Sequence, residues 1–85
     1  MKSSVRVLFF STAREAVGAG AIDREVPARG ATIQAVLGGV AEEHPRLKPI
    51  LKGSRLVRNG RYVRGRRTRV RPGDEIAVHP PYSGG

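Results

Sequence analysis

Few side chains in this sequence could carry chemistry. Cysteine is absent, which removes thiol nucleophiles, a disulfide framework and cysteine metal sites. His44 and His79 stand far apart with no acidic cluster at ligand spacing beside them, so a metal centre is not expected. The remaining candidate is the last stretch, Pro80-Pro81-Tyr82-Ser83-Gly84-Gly85. Two successive prolines remove two backbone donors and bias the chain to an extended polyproline conformation. Two residues without a β-carbon then make a peptide thin enough to thread a narrow channel, with backbone angles closed to other residues. On one reading this is a frayed terminus, where glycine is common. On the other, the carboxylate of Gly85 is itself the reactive group, solvated, reachable and held away from the body by a stiff neck.

Such a tail needs a rigid body behind it. Val5-Arg6-Val7-Leu8-Phe9-Phe10 is β-branched and aromatic, the composition of a strand. Val5, Val7 and Phe9 share one face, and Leu8 and Phe10 share the other with Arg6. Bulky apolar groups on both faces predict a central strand covered in part on each side. Thr12-Ala13-Arg14-Glu15 has capping-box spacing, which predicts a short helix from Thr12 to Val17 closed by Gly18. Gly18-Ala19-Gly20 is a turn, and Ile22 to Val26 a second strand ended by Pro27. Thr32 is an N-cap for a longer helix, in which Ile33, Val36, Leu37, Val40 and Ala41 form one apolar stripe. His44-Pro45 stops it. Gly38-Gly39 is costly inside a helix, and close packing against a sheet would explain the pair. Leu47, Ile50 and Leu51 read as a loop tucked into the core. Asn59-Gly60, between Arg55-Leu56-Val57-Arg58 and Arg61-Tyr62-Val63, is the signature of a type I′ hairpin. Arg71-Pro72-Gly73-Asp74 is a turn into a last strand, where Ile76 and Val78 alternate with Ala77 and His79.

This order predicts an α+β domain, a mixed sheet of about five strands packed on one main helix. Residues 1–79 form the single domain and residues 80–85 a flexible tail. At 85 residues the chain buries roughly 60% of its unfolded surface, too little for a large internal active site. The first residues lack the apolar core of a signal peptide and no run approaches membrane-spanning length. A soluble, cytoplasmic protein with no membrane partner is expected.

The pattern resembles the β-grasp (ubiquitin-like) fold, and within it the MoaD-type sulfur carriers, the small subunits of molybdopterin synthase, with a looser likeness to ThiS. The likeness is carried by Val5 to Phe10, Ala13-Arg14-Glu15 with Gly18, Asn59-Gly60, Gly73-Asp74-Glu75 and Pro80 to Gly85. It implies that an E1-like adenylyltransferase (MoeB/ThiF-like) uses ATP and magnesium to adenylate Gly85. A sulfur donor protein then converts the acyl-adenylate to a thiocarboxylate. Gly84 is the second slender residue that lets the tail enter its partners' sites. The carrier itself supplies no acid, base or metal and binds no cofactor. It assembles with a large MoaE-like subunit, as a heterotetramer, and passes sulfur to cyclic pyranopterin monophosphate to form the dithiolene of molybdopterin. Docking in the family uses an apolar patch on the exposed sheet face as well as the tail. By position the patch involves Leu8, Phe10, Tyr62 and His79, continued by Pro80, Pro81, Tyr82 and Ser83. Leu8 and Phe10 could equally be core, and Tyr62 a cross-strand packing residue. His79 and Tyr82 depart from the family pattern.

The largest departure is a basic run. Formal net charge is +9, no acid occurs between Glu43 and Asp74, and Lys52 to Arg71 holds nine of the sixteen basic residues. One reading of Arg64 to Arg71 is a solvated edge strand and loop whose charge blocks edge-to-edge pairing. The other is a footprint for an acidic protein or for RNA. Nucleic acid is not the expected partner, because only Tyr62 is free to stack a base. Alternative functions are a carrier for tRNA thiolation, thiazole or cysteine synthesis, a protein modifier joined through Gly85, or a small basic RNA-binding module.

Overall fold

The computed structural model describes residues 3–81; Met1, Lys2, Tyr82, Ser83, Gly84 and Gly85 lie outside the described residues. In chain order the elements are β1 (Ser4–Phe9), α1 (Ser11–Val17), β2 (Ala21–Glu25), β3 (Ala31–Thr32), α2 (Ile33–Glu43), α3 (Leu47–Gly53), β4 (Arg55–Arg58), β5 (Arg61–Tyr62), β6 (Arg69–Val70) and β7 (Glu75–His79). A mixed five-stranded sheet runs in the order β2-β1-β7-β4-β5, and β3 pairs with β6 in a separate two-stranded ladder. β1 and β7, the first and last strands, are parallel neighbours; the other pairings are antiparallel.

Strand parity sets the core. Val5, Val7 and Phe9 of β1 and Ile76 and Val78 of β7 are buried against Ile33, Val36, Leu37 and Val40 of α2. The expected apolar stripe of α2 is therefore present, with Ala41 packed at its margin. Thr32 caps that helix through its side-chain oxygen, which accepts from the Ala35 N–H at 3.1 Å. Gly39 has a partial explanation, since a β-carbon there would meet the Arg24 guanidinium of β2 at 2.7 Å. Nothing in the structure explains Gly38. Arg24 also donates to Glu43 at 2.9 Å, a bond that holds the Glu43 carboxyl below the usual range.

The structure departs from the sequence reading in four places. The capping box at Thr12 does not form: the helix already begins at Ser11, its N-cap is Phe10, and no side chain caps it. β1 runs straight into α1 through a left-handed Ser11 (φ 53°), which leaves Thr12 inside the first turn. Leu47, Ile50 and Leu51 belong to a helix, α3, and not to a loop. Their spacing of three and four is itself helical, and Pro49 is tolerated because it lies in the first turn, where N–H groups lack helical partners. Among the described residues no helix covers the outer face of β1, so Leu8 is only half-buried there and Phe10 is exposed.

The fourth departure concerns the basic run, which is structural in part. Val70 is fully buried in β6, and the run's backbone closes the start of α2. The Thr68 and Arg66 carbonyls accept from the Ile33 and Gln34 N–H groups, each at 2.9 Å. These are donors that a helix N-terminus otherwise leaves unsatisfied. The Arg66 guanidinium also donates to the Leu51 carbonyl.

A compact polar knot joins the hairpin to the last turn. Asn59 and Gly60 have φ of 49° and 84°, the positive angles that a type I′ turn requires. Asp74 accepts from the Arg71 N–H at 2.9 Å, from Asn59 Nδ2 at 3.1 Å and from Arg58 at 3.3 Å. Burial acts to raise the Asp74 carboxyl, but the hydrogen bonds from Arg71 and Asn59 and the Arg58 charge outweigh it, and its pKa lies below the ordinary value. A carboxyl depressed in the folded state adds stability above its unfolded pKa of about 3.9, and that stability is lost as pH falls through the folded value. Urea unfolding is expected to show this loss below about pH 4, with a flatter acid limb in Asp74→Asn. Asp74→Ala should cost about 1.5–3 kcal/mol at neutral pH, as a charged hydrogen-bonding group is removed from three donors.

Candidate functional site

The pairings align an apolar strip across the uncovered face of the sheet. Leu8 lies opposite Ala21 on one side and Ala77 on the other. Ala77 lies opposite Val57, and Val57 opposite Tyr62. The strip thus crosses all five strands as Ala21, Leu8, Ala77, Val57 and Tyr62. Ala77 is buried yet stands outside the core cluster, consistent with its alternation against Ile76 and Val78. Above the strip, Phe10 and His79 stack face to face, with ring centroids 4.5 Å apart and an interplanar angle of 6°. Phe10 is 42% and Tyr62 71% exposed, and they are the large exposed hydrophobic side chains among the described residues.

Of the expected patch residues, the structure brings Phe10 and His79 into contact at the end of β7, where the tail starts. Leu8 lies in the strip beside them. Tyr62 sits on the far edge strand, three strands from β1. Its ring is covered by the Arg55 guanidinium at 5.7 Å, within cation–π range. It lies opposite Val57, so the cross-strand position considered from sequence is the one it occupies, at the exposed edge of the sheet. Pro80 is half-buried and Pro81 exposed. Tyr82, Ser83, Gly84 and Gly85, which carry the expected chemistry, lie outside the described residues.

Sequence reasoning missed Ala77, Val57, Arg55 and Gly53. The alternation in β7 already placed Ala77 on the outer face with His79. Val57 and Arg55 needed the β4–β7 register, which pairs Arg55 with His79. Gly53, the exposed last residue of α3, leaves room for the tail's root: a β-carbon there would stand 3.2 Å from Pro81 Cγ. Gly53→Leu is expected to push Pro81 aside and weaken any partner that grips sheet and tail together. Its melting temperature should stay within about 5 °C of wild type, since an exposed site of this kind changes stability by no more than roughly 1 kcal/mol. Titration calorimetry beside a thermal melt separates the two effects.

Among the described residues no group of histidine and acidic side chains could hold a metal, and no helix is long and apolar enough to cross a membrane. The concavities beside the edge strand β5 are shallow and arginine-lined. What the fold offers is an apolar platform at the end of whose central strand, β7, Pro80 and Pro81 lead the chain off the sheet. That arrangement defines a ubiquitin-like β-grasp domain.

The chain belongs to the ThiS family, whose family model matches residues 7–85. It is 33% identical to the molybdopterin synthase sulfur carrier subunit of Chlamydomonas reinhardtii over 95% of this chain and 98% of that one. Among solved structures it is similar to the small archaeal modifier protein 1 of Methanosarcina acetivorans, with a TM-score of 0.83, 25% identity and coverage of 100% and 99%. The same fold occurs in a complex of subunits 1 and 2 of the molybdopterin-converting factor of Helicobacter pylori, with a TM-score of 0.68, 22% identity and coverage of 96% and 99%.

Proposed function

We propose that this chain, a sulfur carrier of the molybdopterin synthase type, carries its sulfur as a thiocarboxylate on Gly85. The observation that supports this reading best is the match to a sulfur carrier subunit over nearly the full length of both chains, joined to the Gly84-Gly85 ending. A carboxylate is a poor electrophile because its oxygen is a poor leaving group. An E1-like enzyme of the cytoplasm overcomes this with ATP and magnesium: the Gly85 carboxylate oxygen attacks the α-phosphorus, pyrophosphate leaves, and an acyl-adenylate forms. Sulfide-level sulfur delivered by a donor protein attacks the acyl carbon, the bond to the AMP oxygen breaks, and the thiocarboxylate remains. The carrier then docks its sheet face on a large synthase subunit, in a heterotetramer. The tail reaches cyclic pyranopterin monophosphate, where the thiocarboxylate sulfur attacks a side-chain carbon whose oxygen substituent leaves. Hydrolysis of the resulting thioester leaves the sulfur on the pterin. Water supplies the oxygen that returns Gly85 to a carboxylate.

This chain's own residues perform no proton transfer. Their part is positional: the Phe10–His79 stack stands at the root of the tail, the missing side chain at Gly53 leaves room for Pro81, and the apolar strip supplies the docking surface. The similarity to an archaeal modifier protein favours a second use of the same activated carboxyl, capture by a lysine amine to give an isopeptide bond. Intact mass after incubation with an E1-like enzyme, ATP, magnesium and sulfide tests the main reading. The expected gain is the mass difference between one sulfur and one oxygen. An unchanged mass with a competent enzyme overturns it.

A further inference from the structure

The apolar strip ends in arginines that the fold does not use. Two shallow concavities flank β5 and share Tyr62, Val63 and Arg64. One of about 320 Å³ is completed by Arg55 and Arg66, the other of about 470 Å³ by Arg58 and Arg61. No acid lines either of them. Arg58 is neutralised by Asp74 and Arg66 is held by the Leu51 carbonyl. Among the described residues Arg55, Arg61 and Arg64 have no carboxylate partner, and all three are exposed. Arg55 lies opposite His79 at the root of the tail and over the exposed Tyr62 ring. A protein that grips the tail and the strip as far as Tyr62 therefore covers Arg55 and reaches the edge strand β5. There Arg61 alternates with Tyr62 toward the other face and Arg64 follows in the loop, so that a partner wrapping this edge meets both.

Covering unpaired guanidinium groups is costly unless the partner returns the lost hydration with carboxylates. Arginine's planar fork suits such bidentate pairing. We propose that Arg55, Arg61 and Arg64 form a specificity-determining rim, and that the protein receiving the tail presents acidic side chains opposite it. This rests on the carrier reading above, with the large synthase subunit as the receiving protein. A protein surface is favoured over RNA because of the two large exposed rings Phe10 is stacked on His79 and Tyr62 lies under Arg55. One face of each ring is thus already taken, and two rings at opposite ends of the sheet make no continuous stacking platform for bases.

The test is stopped-flow and equilibrium binding to the large synthase subunit from the same genome, at about 50 mM and about 500 mM salt, where screening lengths differ severalfold. Wild type is expected to associate on the order of tenfold faster at low salt. Arg61→Glu/Arg64→Glu should lose that advantage and bind more weakly at low salt. Arg29→Glu/Arg46→Glu reverses the same number of exposed charges away from the sheet face and should keep most of the advantage. A circular dichroism melt of each variant excludes unfolding as the cause, and the milder Arg61→Gln/Arg64→Gln should fall between wild type and the reversal. Equal, salt-insensitive binding by wild type and the Arg61/Arg64 reversal, with sulfur transfer intact, overturns the rim and leaves the carrier reading standing. Failure of wild-type chain to bind or to transfer sulfur overturns both. A single-stranded RNA oligonucleotide that displaces the large subunit, and loses its affinity in the Arg61/Arg64 reversal, overturns the acidic-protein assignment in favour of nucleic acid.

Discussion

Adding one alanine after Gly85, or deleting Gly85, is expected to abolish thiocarboxylate formation while leaving the melting temperature unchanged. The separation follows from where the two properties reside. Stability comes from the core between the sheet and α2, and Gly85 lies six residues beyond the last strand residue, His79. The proposed chemistry needs the glycine carboxylate at the adenylating phosphorus. One extra residue displaces the reacting oxygen by about 3.5 Å, and misplacement of even 1 Å can cost on the order of a hundredfold in rate. Gly85→Ala is the finer probe, since it keeps the length and adds only a methyl group and its backbone restriction. Mass spectrometry of the reaction with the E1-like enzyme, beside a thermal melt, reads both properties. Full activity in the extended chain would remove the terminal carboxyl from the mechanism. The outcome also separates the carrier from a basic binding module, which tolerates added residues.

The second large effect is a contrast between neighbours in the chain. Phe9→Ala is expected to cost about 3–5 kcal/mol, because it empties a fully buried site in a central strand. Phe9 is 1% exposed, and small domains hold only about 5–15 kcal/mol in total. The melting temperature should fall by about 15–30 °C, or the chain should fail to fold. Phe10→Ala, one residue later, loses a surface stack on His79 and should cost no more than about 1 kcal/mol. Its effect should appear in partner binding, as weaker affinity for the large subunit with a near-normal melt. Equal destabilisation by the two substitutions would mean that Phe10 is core, the alternative open from sequence. A Phe10→Ala variant that binds as wild type would remove the upper part of the patch from the interface.

The two predictions trace what was legible in the sequence. Local patterns determined the local elements. Period two in Val5 to Phe9 and in Glu75 to His79 marked β1 and β7 and their buried faces. The stripe from Ile33 to Val40 with Thr32 ahead of it marked α2 and its cap, and Asn59-Gly60 marked the hairpin. Each of these rests on interactions a few residues apart, which the order of residues carries directly. The tail was read from its two prolines and two glycines, and of these only Pro80 and Pro81 fall within the described residues.

Other features depend on contacts between distant segments. Whether Leu8 and Phe10 are core or surface depends on what covers the outer face of β1, and no described helix does. The strip from Ala21 to Tyr62 exists only because β1 lies parallel to β7 and β4 pairs with β7, a register set by long-range packing and by the Asp74 knot. α3 was hidden because three apolar residues beside two prolines satisfy a buried loop as well as a helix. The basic run was divided by tertiary contacts. Val70, Arg66 and Thr68 close the core and the start of α2, whereas Arg61 and Arg64 remain at the edge of the sheet. Charge counted along the chain cannot make that division, because it depends on which backbone groups meet the unsatisfied donors of α2. The sequence by itself thus determined the local elements, and the tertiary structure decided which surface they present beside the root of the tail.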